Sequence, residues 1–140
     1  MKNIQLLVCL LLLGGCTIYS QKTNFEITSP NGELKATINL GDKIYYSISA
    51  GNEVLTSKNH LGLLLKNETL GLNPKLSNSK TGKINEVIKP AIPLKFSTVA
   101  NAYNYLVLNF KGNYSVEFRA FDEGIAYRIT TAKKGEIEVC

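Results

Sequence analysis

Apolar and polar residues alternate with a period of two along much of the chain from Asn24 onward. Within residues 34–50, the apolar positions are Leu34, Ala36, Ile38, Leu40, Ile44, Tyr46, Ile48 and Ala50. This period is typical of strands that turn one face to a core and the other to water. Pro30-Asn31-Gly32, Gly41-Asp42 and Gly51-Asn52 provide turn residues between the runs. The pattern predicts a β-meander that runs from Phe25 to Leu55.

The second half of the chain has the same strand character. The segment from Ser97 to Phe110 places Leu106, Leu108 and Phe110 on one face, and residues 114–129 form two strand-length runs around Asp122-Glu123-Gly124. These runs predict a hairpin. No stretch has a convincing helical period, so the predicted fold class is all-β, an antiparallel β-sandwich.

Two registers are open for this hairpin, and they distribute its arginines differently. A two-residue Glu123-Gly124 loop gathers the apolar residues on one face but sets Arg119 opposite Arg128. This is unfavourable unless a carboxylate such as Glu117 or an external anion lies between them. A three-residue loop with a left-handed Gly124 pairs Phe121 with Ile125 and sends the arginines to opposite faces. We favour the second register, because its mixed faces suit a strand covered on both sides.

Two segments carry weaker strand signals. Residues 72–89 are rich in Asn, Ser, Lys and Thr; Pro74 lies within them, and Pro90 and Pro93 follow. This composition predicts an exposed loop with one weak strand at Ile84 to Ile88. The alternating run Glu136 to Cys140 predicts an open sheet edge.

The amino terminus is typical of an export signal. Lys2 precedes an apolar run from Ile4 to Leu13, which is too short for a membrane-spanning helix of about 20 residues. Leu13-Gly14-Gly15-Cys16 resembles the bacterial lipobox, which would make Cys16 the lipidated first residue and anchor the protein to a membrane surface. Ordinary cleavage after Ser20 is the alternative. In either case residues 1–20 are predicted to be a signal peptide, and residues 24–140 the domain.

Composition limits the remaining possibilities. The chain has 140 residues, a formal net charge of +5 and 44% hydrophobic residues, which suits one modest core. Its lysines are dispersed and no helix carries a basic stripe, so a nucleic-acid partner is not expected. No Cys-x-x-Cys pair or Cys/His cluster offers metal ligands, and the single His60 is interpreted as structural.

Two separated segments resemble one enzyme family. They are F-R-A-F-D-E-G-I-A-Y-R, with Y-N-Y-L upstream, and S-P-N-G-E-L-K-A-T-I-N-L-G-D-K-I-Y-Y-S-I-S. Both are similar to the N-terminal domain of glycoside hydrolase family 97, bacterial α-glucosidases and α-galactosidases. The resemblance implies an incomplete N-terminal β-supersandwich of galactose-mutarotase type over residues 24–140. It also implies that the catalytic carboxylates lie in a separate barrel, and that calcium acts in the full-length family.

No catalytic, cofactor-binding or metal-binding residue of that family can be placed on this sequence. Glycosidases need two carboxyl groups across the scissile bond, but Asp122 and Glu123 are better interpreted as turn residues and Glu117 as an arginine partner. This chain alone is therefore expected to be inactive and to need no cofactor. Six tyrosines, interpreted mainly as packing residues, offer faces for sugar rings: Tyr45, Tyr46, Tyr103, Tyr105, Tyr114 and Tyr127.

Together these features predict a carbohydrate-binding or scaffolding domain of an exported α-glycosidase. Its expected partner is an α-glucoside or α-galactoside, bound weakly or through another domain. The expected location is the periplasm or the outer membrane of a Gram-negative bacterium. The alternative is an independent carbohydrate-binding or structural envelope lipoprotein.

Overall fold

The computed structural model describes residues 22–89, 98–135 and 138–140. The predicted signal peptide with Cys16 and Ser20, together with Pro90, Pro93 and residues 136–137, lies outside these ranges. Ten strands follow one another along the described chain: β1 (Asn24–Thr28), β2 (Leu34–Leu40), β3 (Ile44–Ala50), β4 (Glu53–Leu61), β5 (Leu63–Leu65), β6 (Glu68–Leu70), β7 (Leu76–Ile88), β8 (Val99–Phe110), β9 (Tyr114–Phe121) and β10 (Gly124–Thr131).

The all-β prediction is confirmed. Every regular element in the described ranges is a strand, and every strand pairing is antiparallel. The strands form two four-stranded sheets, β1-β2-β3-β4 (sheet I) and β10-β9-β8-β7 (sheet II), and a small sheet of β5 and β6. The described residues include no helix with the length and apolar character needed to span a bilayer.

Sheet I is the meander that the alternating pattern predicts. Phe25 pairs with Ile38, which in turn pairs with Tyr46, so every second residue points inward. The turns fall at the predicted places, and Gly32 and Gly51 adopt φ values of 78° and 53°. These left-handed conformations suit glycine, which has no Cβ to clash.

The core lies between the two inner faces. β1 packs over β8 and β9, and β2 over β9 and β10. The buried residues of this core are Phe25, Ile27, Ala36, Ile38, Ile44, Leu61, Leu65, Leu70, Leu106, Leu108, Phe110, Tyr114, Val116, Phe118 and Ala120. Burial of these side chains is the main stabilising contribution. At one end the sheets are also joined by hydrogen bonds: the Asn104 side-chain amide donates to the Thr28 carbonyl at 2.7 Å.

The prediction of an exposed loop over residues 72–89 is wrong for residues 76–83, whereas the strand predicted at Ile84 to Ile88 is confirmed. Residues 76–88 form β7, the longest strand, which pairs with β8 from Leu76 opposite Phe110 to Ile88 opposite Val99. β7 is an edge strand, so its side chains are mostly exposed and show no hydrophobic alternation. Backbone hydrogen bonds to β8 hold β7 in place, and amino-acid composition does not reveal such pairing.

Neither predicted hairpin register is correct, and the one we favoured is wrong. Phe121 pairs with Gly124, so the loop is Asp122-Glu123, and Arg128 lies opposite Glu117. Gly124 has no left-handed φ. The physical reason is that the favoured register would direct one arginine into the core, whereas the observed one puts both on the outer face beside Glu117. The apolar set of the first register is retained on the inner face.

The small sheet covers one end of the sandwich. Strand β5 pairs with β6, and Cys140 donates its backbone N–H to the Leu64 carbonyl at 3.1 Å. Lys66 donates its backbone N–H to the Glu138 carbonyl, and its ammonium pairs with the Glu138 carboxylate at 2.8 Å. Glu138 to Cys140, part of the predicted sheet edge at residues 136–140, are thus paired on one side with residues 64–66. Residues 136–137 lie outside the described ranges.

Candidate functional site on the outer face of sheet II

The outer face of sheet II carries both arginines of the chain. Cross-strand pairing aligns Tyr105 with Arg119 and Val107 with Glu117. On the other side of β9, Glu117 is opposite Arg128. We call this surface the outer face, and it consists of Tyr103, Tyr105, Val107, Glu117, Arg119, Phe121 and Arg128.

Glu117 lies between the two guanidinium groups. Arg119 donates from Nε to Oε1 at 2.7 Å, and Arg128 donates from Nε to Oε2 at 2.7 Å. The Nη2 atom of Arg128 is 2.5 Å from the same Oε2. The Glu117 side chain is only 13% exposed, whereas that of Arg128 is 63% exposed. The sequence-based interpretation of Glu117 as an arginine partner is confirmed, and the cluster carries a net charge of +1.

This arrangement determines the acidity of Glu117. Burial by itself would raise the pKa of the carboxyl group, but hydrogen bonds and charges from Arg119 and Arg128 outweigh it and lower the pKa below the usual value. In return, the Glu117 hydrogen bond raises the pKa of Arg119. Glu117 is therefore held as a carboxylate, whereas a general acid needs a raised pKa.

Aromatic rings surround the arginine cluster. The Arg119 guanidinium lies 4.8 Å from the centre of the Tyr103 ring, a distance suited to a cation–π contact. Tyr103 also packs against Phe121, with ring centres 4.9 Å apart. The cluster is thereby fixed to the sheet by both ion pairing and ring packing.

Tyr105 shows a contact that the sequence analysis missed. Its ring lies over Gly82 of β7, so closely that a Cβ added at Gly82 would come within 2.4 Å of the ring. An isolated glycine in a strand, opposite an aromatic residue, is the signal that could have identified both β7 and this packing.

Asp122 and Glu123, interpreted from the sequence as turn residues, lie in the turn between β9 and β10. Asp122 accepts a hydrogen bond from the Asn31 backbone N–H at 2.9 Å, which ties the β9–β10 turn to the β1–β2 turn. Glu123 is the second residue of the same two-residue loop and is exposed. The structure thus places Glu117 on the outer face and Asp122 and Glu123 in a turn, and does not assemble them around one cleft.

The six tyrosines differ in exposure: two are buried, one is exposed, and Tyr45, Tyr46 and Tyr105 are half-buried. Tyr103 and Tyr114 are buried at 8% and 9% exposure, which confirms the packing interpretation for these two. Tyr127 is 49% exposed on the inner side of β10, where its ring meets those of Tyr46 and Phe118. Tyr127 therefore offers the most open ring, but it lies on the face opposite the arginine cluster.

The described residues do not form a metal cage. Across residues 22–89, 98–135 and 138–140, no three His, Cys, Asp or Glu side chains come together in a way that could hold an ion. These residues thus do not fit the calcium that the resemblance implies for the full-length family. His60 is exposed on edge strand β4, and Cys140 is an exposed free thiol.

Comparison with known proteins gives matches along nearly the whole chain. The family described as Glycosyl-hydrolase 97 N-terminal matches residues 27–140. A retaining alpha-galactosidase from Bacteroides thetaiotaomicron (strain VPI-5482) is 37% identical over 136 residues, which are 96% of this chain and 20% of that protein. The chain therefore spans about a fifth of the length of this curated relative.

Solved structures agree with these matches. A glycoside hydrolase family 97 enzyme from Pseudoalteromonas sp. strain K8, in complex with acarbose, superposes with a TM-score of 0.72 and 25% identity. That match covers 82% of this chain and 19% of the enzyme. A beta-arabinopyranosidase gives a TM-score of 0.70 at 25% identity, over 79% of this chain and 18% of its own.

Proposed function

The chain belongs to the glycoside hydrolase family 97 N-terminal domain family, and we propose that it acts as a non-catalytic, sugar-side scaffolding domain of an exported α-glycosidase. The observation that carries this proposal is the match of residues 27–140 to the N-terminal family together with coverage of only a fifth of the related α-galactosidase. In this proposal, the reaction takes place in a barrel formed by another part of the enzyme, since a barrel needs about 200 residues or more.

The chemistry of the carboxylates supports a non-catalytic role. Retaining and inverting glycosidases both need a positioned acid and a second carboxylate at a defined separation from it. Glu117 has a lowered pKa and both oxygens engaged by arginines. Asp122 is engaged by the Asn31 backbone. Neither group is in a state suited to protonating a leaving-group oxygen.

The outer face is the surface we propose for sugar contact. Arg128 uses Nε and Nη2 on Glu117 and is 63% exposed, so its remaining N–H groups are open to a ligand. Guanidinium N–H groups donate to hydroxyl oxygens, and the half-buried ring of Tyr105 beside them offers an apolar surface to a pyranose. Binding at such an open surface should be weak, with a dissociation constant in the range of about 1 mM or above.

The class of sugar that we propose is taken from the names of the similar enzymes. One relative is a retaining alpha-galactosidase, and a family 97 enzyme is known in complexes with acarbose and panose. We therefore propose an α-glucoside or an α-galactoside as the sugar that the full enzyme acts on. Calcium belongs, in this proposal, to the rest of the enzyme.

Turnover assays test the non-catalytic assignment. The purified chain would be incubated with aryl α-glucosides and aryl α-galactosides in the presence of calcium, in parallel with Glu117→Gln and Asp122→Asn variants. The expected result is no turnover by any of the three proteins. A known α-galactosidase added to one sample shows that the assay conditions permit hydrolysis. Calcium-dependent turnover that is lost in either variant would overturn the proposal.

Export is a separate part of the proposal, supported by the sequence of residues 1–20. We propose that Cys16 is lipidated and holds the protein at a membrane surface in the periplasm or at the outer membrane. Replacing the thiol in Cys16→Ser should release the mature protein from the membrane fraction, because no diacylglycerol can be attached. A variant that is processed normally and stays membrane-bound would instead favour cleavage after Ser20.

A further inference from the structure

A cleft lies at the end of sheet I, away from the outer face of sheet II. It forms where β4 ends and the chain continues into the β5–β6 hairpin, and it has a volume of about 260 Å³. Leu61 is buried beside it, and Leu64 and Leu72 are exposed by 54% and 51%. Part of its wall is therefore apolar and open to solvent.

The backbone around the cleft is closely packed. Gly71 has a φ of 90°, and a Cβ added there would lie only 2.6 Å from the Leu61 carbonyl oxygen. Leu72 forms a backbone bridge with Lys43, and the next residue, Asn73, donates its N–H to the Asp42 carbonyl at 2.7 Å. This packing holds the walls in place without a ligand, as expected of a preformed site.

Three polar side chains line the cleft: Lys43, His60 and Thr69. No side-chain hydrogen bond or ion pair of these three occurs in the described part of the chain. Lysine supplies an ammonium group, histidine a ring N–H and threonine a hydroxyl group. All three can donate a hydrogen bond to an oxygen anion, and a lysine adds a charge that strengthens the contact.

The nearby carboxylates form no ion pair with Lys43. Glu68 pairs with Lys133, and Glu138 pairs with Lys66. Asp42, the neighbour of Lys43, accepts a hydrogen bond from the Tyr45 hydroxyl at 3.0 Å. In the part of the chain that the structure describes, the Lys43 ammonium therefore has no carboxylate partner and is free to meet a ligand.

We propose that this cleft binds a small sugar carboxylate, such as a hexuronic acid, whose ring presents an apolar C–H face. The carboxylate accepts hydrogen bonds from Lys43, His60 and Thr69, and the carbon skeleton covers the exposed leucines. Typical pockets for drug-sized ligands begin at about 300 Å³, so the volume suits a smaller molecule. This inference does not depend on the proposed function, because the outer face takes no part in it.

The test is an NMR titration of the ¹⁵N-labelled protein with D-glucuronate, and with D-glucose as the uncharged counterpart. Glucuronate should shift the amide signals of Thr69, Gly71 and Leu72 in a saturable way, and glucose should shift them far less. Acetate, which has the charge without the sugar ring, should bind more weakly than glucuronate. Lys43→Met should weaken glucuronate binding about ten-fold or more, the amount expected for loss of one charge-assisted hydrogen bond.

Two further variants keep this test specific. Lys83→Met removes one positive charge from exposed β7, far from the cleft in the sheet order, and should leave binding unchanged. Thr69→Val removes a hydroxyl group with little change of shape and should weaken binding. The proposal is overturned if glucuronate causes no saturable shift, if glucose binds equally well, or if Lys43→Met and Lys83→Met behave alike. Shifts confined to the outer face of sheet II would also overturn it.

Discussion

The two four-stranded sheets have similar inner faces and different outer faces. Inside, both present alternating apolar residues, most of which are buried in a shared core. Outside, sheet I carries residues such as Lys35, Thr37 and Asn39, and its ion pair Lys35–Glu26 is long at 3.9 Å and well exposed. Sheet II instead carries Glu117 between two arginines at 2.7 Å, packed against aromatic rings.

This difference shows that a period of two specifies the buried face of a strand but not the use of the other face. The outer face of sheet I is a solvated surface, where single charged residues contribute little. That of sheet II is a connected ion-pair and ring cluster, in which each side chain limits the motion of its neighbours. Such a preorganised surface suits contact with a ligand or another domain.

The largest expected effect tests the similarity of the inner faces. Phe118 and Ile38 are both completely buried, one on each sheet. Phe118→Ala should reduce the free energy of unfolding by about 3–5 kcal/mol, and Ile38→Ala by about 2–5 kcal/mol, since each leaves a cavity. Urea unfolding measures both changes. If the alanine variants do not fold, the milder Ile38→Val replaces them in the measurement, with an expected loss of about 0.5–1.5 kcal/mol. A loss under about 1 kcal/mol for Phe118→Ala would show that the two faces are not one core.

The next effect tests the difference between the outer faces. Glu117→Gln removes the charge that Arg119 and Arg128 share, and should reduce the free energy of unfolding by about 1–2 kcal/mol. Glu26→Gln, the matched change in the exposed pair of sheet I, should cost less than about 0.5 kcal/mol. Equal losses in the two variants, measured by the same urea unfolding, would remove the distinction between the outer faces.

The pH dependence of stability sharpens the same comparison. The folded-state pKa of Glu117 is lowered, so its contribution is fully present above the ordinary glutamate pKa of about 4.3 and is lost as the pH falls through the folded-state value. Wild-type protein should therefore lose more stability than Glu117→Gln when the pH is lowered through this window. Parallel pH profiles for the two proteins would contradict the assignment of Glu117 as a stabilising carboxylate.

The smallest expected effect lies in sheet I. The Thr56 hydroxyl on β4 is buried and has no hydrogen-bond partner in the described residues. Thr56→Val replaces that hydroxyl with a methyl group of similar shape, and should be neutral or stabilise the protein by up to about 1 kcal/mol. Thermal unfolding gives the sign. A clear loss of stability would mean that this hydroxyl has a partner after all.

The sequence predicted sheet I well because its inner positions alternate without interruption and its turns contain Gly, Asn and Pro. It identified only the end of β7, Ile84 to Ile88, and missed residues 76–83, since an exposed edge strand needs only backbone pairing and leaves no hydrophobic pattern. The resemblance to the family, carried by two quoted segments, was confirmed by the match of residues 27–140.

The candidate site was predicted in part. Glu117 was correctly assigned as an arginine partner, but the hairpin register was wrong because turn residues alone do not decide between loops of two and three residues. Placement of both arginines beside one carboxylate depends on that register. The packing of Tyr105 over Gly82 depends on the first part of β7, so it could not be predicted once residues 76–83 were interpreted as a loop.

The central claim, that the outer face of sheet II is a sugar-contact surface, is tested most directly by the arginine side-chain NMR signals. Arg119 and Arg128 are the two arginines of the chain, so the Nε–H region of the spectrum should contain two signals. Titration with panose and with melibiose, an α-galactoside, should shift the Arg128 signal progressively, with a dissociation constant of about 1 mM or above. Arg128→Lys, which keeps the charge, should weaken that binding, as seen in the backbone amide signals of Glu117 and Val107. Unchanged arginine signals at about 50 mM of either sugar, or shifts confined to sheet I, would contradict the claim.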